Sequence, residues 1–414
     1  MARSAYREAL AHYEQALRAL RHLPENPDTM QQAIDLHLTM RVALHPLGDY
    51  APILPHLREA ERLAEALGDP QRLARCLTYL GDYFNKTFQY AHTIPVCQRA
   101  LALATAYGDN LLQLDAQYRL SRAYFFRGDA QQVIPLLTQI VESLTGDLEH
   151  AFLGYSLPLA VASRILLTCA LAVCGAFPEG LTRAKEATQI VEAVDHPWSH
   201  MFAEQALAWL SLEKGDFTPA IAAFERVLEL GQRADIPGIF PDIAAALGLA
   251  YAWSGRVPQA LSLVEQAMER QQALTETAPS SSLVLTLGRV YLLAGRLDEA
   301  INFARQALDL SRERQERGIQ ARVLWLLGEI TARQEPRNDE QAKRFYCQAL
   351  DLAHELGWRP LQAHCHRSLG TLYSQIGWLE LAHTELTMAM HLYRTMDMTF
   401  WLPQAEVALA QVYM

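Results

Sequence analysis

A set of small and aromatic residues returns in this chain about every 40 positions, and no other feature restricts its fold so strongly. In the stretch Ser282 to Ser311, Leu287-Gly288 is followed by Tyr291, Gly295, Ala300, Ala304 and Ala307. Each residue type has a physical reason at its place. A glycine at 288 lets a neighbouring helix approach closely, and Tyr291 fills the gap one turn later. Gly295 can end a helix in the left-handed conformation that is costly for other residues. Asp298 and Glu299 suit the positive end of a second helix, and the three alanines keep that helix's packing face thin. The markers return at Leu247-Gly248, Tyr251, Gly255, Ala260, Val264 and Ala267, and again at Leu369-Gly370, Tyr373, Gly377, Ala382, Leu386 and Ala389. Looser copies are anchored at Arg41 (with Gly48-Asp49-Tyr50 as its turn), Gly81, Ser121, Thr168, Ala208 and Gly328.

The anchors therefore fall at 41, 81, 121, 168, 208, 248, 288, 328 and 370, with periods of 40, 40, 47, 40, 40, 40, 40 and 42. The skeleton L-G-x-x-Y … A-x-x-x-[aromatic or small]-x-x-A resembles the tetratricopeptide repeat, a helix–turn–helix unit of about 34 residues. Each unit here exceeds that length by less than one helical turn per helix, at roughly 3.6 residues a turn. The expected fold is all-α: tandem tetratricopeptide-like hairpins of period about 40 in a single superhelical solenoid over residues 1–414. Residues 1–29 read as a half-repeat helix, 30–399 as nine hairpins and 400–414 as a C-terminal capping helix. The long interval implies an insertion near Thr145 to Pro158, and the 42-residue one a longer turn from Glu335 to Glu340. The pairs Gly68-Asp69, Gly108-Asp109 and Gly146-Asp147 read as one helix's end followed by the next one's cap. At the front, Ala9, Tyr13, Ala16, Leu17 and Leu20 share one helical face with no first-helix partner in the sequence. We expect upstream residues of a longer parent, or weak self-association, to cover what remains of that face.

Composition excludes several function classes. The net charge is −10 with no basic stripe, which argues against nucleic acid. Ile165 to Phe177, the most apolar stretch, is too short to span a bilayer, and no signal peptide precedes the first helix. Six scattered cysteines without a framework suit reduced thiols and a cytoplasmic location. Cys169 and Cys174 read as small core residues. No phosphate-binding loop, H-E-x-x-H or paired C-x-x-C occurs, so neither cofactor nor metal is implied. His196 and His200 lack a third ligand, and His364 and His366 fall on different sides of a helix. Catalysis is not expected.

The surface most able to bind is the one that first helices present inward, at three positions before each anchor and one, four and five after it. Those offsets select Tyr118, Arg122, Phe125, Phe126, Trp209 and Trp253, then Arg289, Trp325, Glu329, Arg333 and Arg367. A large ring on a solvent-facing stripe implies contact with a ligand or partner; packing against adjacent helices is the competing account.

Four phrases carry a further resemblance: SAYREALAHYEQALRAL, IPGIFPDIAAALGLAY, RPLQAHCHRSLGTLYSQIG and YRTMDMTFWLPQAE. They resemble the C-terminal repeat region of bacterial signalling proteins in which a class III adenylate/guanylate cyclase domain and an AAA-type ATPase precede the repeats. Neither the cyclase carboxylates nor an ATP-binding loop is present here. The resemblance thus implies a regulatory module that binds a protein or peptide segment in its groove; the alternative is a small-molecule sensor controlling an attached ATPase or cyclase. An open, charged groove would favour the first, and a groove closed around an aromatic cage the second.

Overall fold

The computed structural model describes residues 2–44, 50–152, 157–194, 196–233, 236–273 and 279–413. Among them every regular element is helical, with twenty α-helices and no strand. The first six are α1 (Ala2–Leu20), α2 (Pro27–Leu44), α3 (Ile53–Leu67), α4 (Pro70–Lys86), α5 (Tyr90–Tyr107) and α6 (Asn110–Arg127). Next come α7 (Ala130–Ser143), α8 (Leu159–Val173), α9 (Phe177–Val194), α10 (Pro197–Lys214) and α11 (Phe217–Arg233). They are followed by α12 (Phe240–Trp253), α13 (Val257–Ala273), α14 (Ser281–Leu293), α15 (Leu297–Glu313) and α16 (Arg317–Thr331). The last are α17 (Asp339–Leu356), α18 (Arg359–Gln375), α19 (Leu379–Thr395) and α20 (Leu402–Ala410). Helices α2, α4, α8, α10, α12, α14, α16 and α18 each pack on the odd-numbered helix that follows, as the first helices of hairpins.

Local chemistry explains the hairpins. At Gly370 an added Cβ would lie 2.6 Å from Leu386 Cγ, so α18 and α19 approach as closely as they do only because glycine stands there. Facing it, Ala382, Leu386 and Ala389 are fully buried, each leucine-sized side chain worth about 1.5–3 kcal/mol of burial. Gly295 adopts φ +75° between α14 and α15, as the turn requires. Asp69 caps α4 by accepting from Arg72 N at 2.9 Å, and Asp109 accepts from Leu112 N at 3.1 Å. The third Gly-Asp pair departs from this pattern. Gly146 and Asp147 begin a 3-10 turn, Gly146–His150, inside the 47-residue interval, because α7 has already ended at Ser143. The Gly48-Asp49 turn lies outside the described residues.

The chain divides into two compact units, residues 1–124 and 125–414, with the boundary falling within α6. The core of unit 1 is built from Ile34, Leu38, Met40, Leu57, Leu77 and Leu80. On α1, Leu17 is buried, while Ala9, Tyr13, Ala16 and Leu20 are half-buried.

Unit 2 winds far enough to meet itself. The Trp358 indole donates to Gly128 O at 3.0 Å across 230 residues. Lys214 Nζ lies 3.0 Å from Asp397, and Arg322 2.8 Å from Glu213. A Cβ added at Gly318 would collide with the Trp358 ring, at 2.1 Å. Helices α8 and α18 are in contact. Successive small rotations between repeats have thus brought the first and last hairpins of unit 2 together. Cys169 and Cys174, expected in the core, are instead half-buried, the second standing just past the end of α8.

Candidate functional site

In unit 1 the inward offsets of α4 and α6, with the anchor Arg41 of α2, bring charge together around Asp82, one residue after the anchor Gly81. Burial alone would raise the Asp82 pKa. The surrounding Arg119, Lys86, Arg122 and Arg41 outweigh that and hold its carboxyl far below the usual range. Arg119 pairs with it directly and reaches Asp115 through Nε at 2.8 Å. Lys86 Nζ lies 3.2 Å from Asp82, and an Arg41 amino nitrogen 3.9 Å. Arg41 also stands 3.9 Å above the Tyr79 ring. Burial brings the Lys86 ammonium down to about 8, although Asp82 opposes it. Four cations therefore gather about two carboxylates. Tyr118 and Arg122 belong to this cluster, and burial pushes the Tyr118 hydroxyl upward.

In unit 2 the same offsets build an aromatic chamber of about 30 Å³. It is lined by Trp209, Leu212 and Glu213 of α10, Trp253 of α12, Arg289 of α14, and Arg322 and Trp325 of α16. Leu361 and His364 of α18 and Trp401, just before α20, complete it. The Trp401 ring stands 4.7 Å from both Trp253 and His364, edge to face. Trp325 stacks on His364 at 5.4 Å and donates its indole N–H to Ser368 at 3.0 Å. Burial, reinforced by Arg367, Arg289 and Arg322, holds His364 well below its ordinary pKa. Its Nδ1 is 2.8 Å from the Tyr393 hydroxyl. Burial also lowers Arg289, helped by repulsion from Arg322 and opposed by Glu213, to about 10.

Four of the residues selected by offset, Trp209, Trp253, Arg289 and Trp325, meet in this chamber. Arg367 lies behind it, its guanidinium 5.7 Å from the Trp401 ring. Glu329 is bound to Tyr346 and Ser368 at 2.9 and 2.7 Å and pairs with exposed Arg333 at 3.1 Å. Phe125 and Phe126 do not join. They pack edge to face on each other at 5.5 Å, with Phe126 37% exposed. Glu213 and Arg322 went unselected, as did His364 and Trp401. Glu213 occupies an inward offset, five after the anchor Ala208, and could have been selected on that ground. Arg322 and His364 lie six residues before their anchors, one turn beyond the stripe considered. Trp401 belongs to no repeat register, so only the fold reveals it.

The His196–Ser199 pair, 2.9 Å apart, is a contact at the start of α10 in which the serine is fully buried. Among the described residues no three His, Cys, Asp or Glu side chains could share a metal, and no helix is long and apolar enough to cross a membrane.

Residues 242–313 match the model of the tetratricopeptide repeat family. No curated protein sequence matches the chain. Among solved structures the chain is similar to a Rap protein complexed with Competence and Sporulation Factor. That likeness has 15% identity and TM-score 0.64, and covers 86% of this chain and 99% of that one. It is also similar to the Rap conjugation gene regulator of the plasmid pLS20 in complex with the Phr* peptide, at 14% identity and TM-score 0.57, covering 90% and 95%. A looser likeness, at 15% identity and TM-score 0.49, is to a Signal Transduction ATPase with Numerous Domains protein from Pyrococcus horikoshii that has a tetratricopeptide repeat sensor. It covers 91% of this chain and 54% of that one. The chain thus has the helical-repeat fold typical of protein-interaction scaffolds.

Proposed function

We propose that this chain is a non-catalytic, cytoplasmic recognition module of a bacterial signalling protein, and that it binds a peptide or protein segment along the inward faces of its first helices. In a parent chain it would regulate an attached cyclase or ATPase. One observation carries the reading: in six of the nine repeats, those anchored at 121, 208, 248, 288, 328 and 370, equivalent helix offsets bear arginines or large rings. Unit 1 contributes Arg41, Lys86 and Arg122 around Asp82, a surface suited to an acidic or carboxylate-bearing segment. The two Rap proteins of similar fold were solved with a peptide or factor bound, which supports a peptide as occupant. The test is a fluorescence-polarisation screen of the chain against a peptide array. Hits should weaken at least about tenfold with Arg122→Glu, a loss of roughly 1.4 kcal/mol, while the circular dichroism spectrum stays unchanged. Hits that bind the variant equally well would contradict this placement.

A second reading, a small-molecule sensor, is favoured by one specific observation. The inward face of unit 2 is closed around an aromatic cage rather than open to a long segment.

A further inference from the structure

The unit 2 chamber has an imbalance that packing does not explain. Arg289 and Arg322 both line it, against the single carboxylate of Glu213. Arg322 takes that carboxylate at 2.8 Å. Among the described residues Arg289 has no carboxylate within ion-pair distance and makes no hydrogen bond; Glu213 acts on it only from farther off, and the Trp325 ring stands 5.8 Å from the guanidinium carbon. A shielded guanidinium without a counter-charge is costly, because its hydration is lost and nothing replaces it. His364 adds no negative charge, and its depressed pKa keeps it neutral near pH 7.

The unpaired donors tell the same story. Arg289 Nε, Arg322 Nε and the indole nitrogens of Trp253 and Trp401 are all buried without an acceptor. Every one of them is an N–H donor, and none can accept. A buried donor left without an acceptor is destabilising, because it has given up its bond to water and gained none. Four such donors around one cavity, with a surplus positive charge, complement a group with several acceptor lone pairs and a negative charge.

We infer that the chamber binds a compact oxyanion, a carboxylate or phosphate group, gripped by Arg289 and Arg322, with Trp401 as the ring that moves to admit it. This rests on the reading of the inward face as a recognition surface and names the chemistry that the unit 2 part of it selects. Arginine suits the task because its planar fork can present two parallel donors to one oxyanion. The cavity, about 30 Å³, exceeds the roughly 10–15 Å³ that one water needs, so it has room for a small polar group but not for a larger molecule attached to it. An oxyanion with anything attached must therefore displace a wall. Trp401 is the wall outside the repeats. It is only 2% exposed and is carried on the short segment between α19 and α20. A Cβ added at Gly215, where φ is +96°, would lie 2.6 Å from its indole nitrogen, so the ring is seated against bare backbone. Four of the seven tryptophans line the chamber, which makes its occupation visible in fluorescence.

The experiment is a tryptophan-fluorescence titration of the full chain at constant ionic strength. The probes are sodium phosphate, sodium acetate, and trialanine with either a free or an amidated C-terminus. We expect a saturable change with at least one oxyanion, and a dissociation constant at least about tenfold weaker in Arg289→Met, as for loss of a charge-assisted bond. The control Arg344→Met, on the exposed face of α17, should titrate like the unaltered chain. Phosphate alone acting would identify a free phosphate-type ligand. Free trialanine acting where the amide does not would identify a chain-terminal carboxylate. If Arg289→Met fails to fold, Arg289→Gln or Arg322→Lys replaces it, each keeping donors while weakening the grip. No saturable response to any probe, or an equal response in the Arg289 variants, overturns the inference. Peptide hits weakened by Arg122→Glu would in that event still stand, so the two readings fail separately.

Discussion

Units 1 and 2 are built from the same hairpin, yet they use their inward faces in opposite ways. In unit 1 the offsets of adjacent repeats carry charge: Asp82, Lys86 and Arg122 stand at them, and Arg41 and Arg119 join from beside the stripe. In unit 2 they carry rings, and the decisive contacts join helices far apart in sequence, Glu213 to Arg322 and Trp358 to Gly128. The difference teaches that repeat identity sets only nearest-neighbour packing. What an inward face becomes depends on whether enough repeats accumulate for the face to meet itself. Where it does, water is expelled and large rings are the efficient filling. Where a carboxylate is buried, cations must surround it, as they do around Asp82.

The comparison can be broken most forcefully at Arg119. Arg119→Met leaves Asp82 buried beside weaker partners and should cost about 3–5 kcal/mol. Hydrogen exchange should show the loss in α4 and α6, with α12 to α18 protected as before. Equal loss in both sets of helices would mean that the units do not respond separately.

Trp401→Ala is the corresponding cut in unit 2. A buried indole packed on Trp253, Phe217 and His364 should cost about 3–5 kcal/mol on truncation, read as a lower denaturation midpoint. Trp253→Ala should behave alike, since that ring stacks on Phe217 with planes 7° apart. The rings of the chamber thus serve as packing as well as lining. A midpoint unchanged by Trp401→Ala would mean that the ring does not seal the chamber.

Acid provides a smaller effect. Burial, then the neighbouring His56, lowers His37 in unit 1 to about 4, with Glu59 opposing and Arg21 assisting. The two Nδ1 atoms are 2.9 Å apart, a contact that needs at least one neutral ring. In the unfolded chain His37 takes up its proton near its ordinary value of 6.5, and in the folded chain only near 4. The unfolded state therefore binds more protons between those values. Stability is fully present above pH 6.5 and is lost as pH falls toward 4, by on the order of 2–3 kcal/mol. His37→Asn should flatten that part of the pH–stability curve, measured by urea denaturation. An unchanged slope would assign the acid sensitivity elsewhere, with buried His364 of unit 2 the next group to test.

Much of this fold is legible in the sequence because its determinants are local. The anchor glycines and the alanines facing them mark where helices must touch, so the all-helical repeat fold can be read from spacing. Trp209, Trp253, Arg289 and Trp325 were legible as inward-facing for the same reason. Their burial was not, because closure depends on rotations summed over many repeats and no single repeat encodes it. Asp82 and Lys86 occupy inward offsets too, but a lone acid next to a lysine looks like any solvated helix face until Arg119 and Arg41 are seen around it. Trp401 lies beyond the last repeat, where periodicity offers no guide.

Closure of unit 2 on itself is the claim on which the chamber depends, and a double-mutant cycle on Glu213 and Arg322 tests it most directly. These residues stand 109 positions apart and meet only if the first helices of distant hairpins face one another across a narrow interior. Glu213→Gln, Arg322→Met and the double variant are compared by urea denaturation. The structure predicts a coupling energy of about 1–3 kcal/mol, as for residues in direct contact. Additivity within about 0.3–0.5 kcal/mol, the behaviour of distant independent sites, would contradict it.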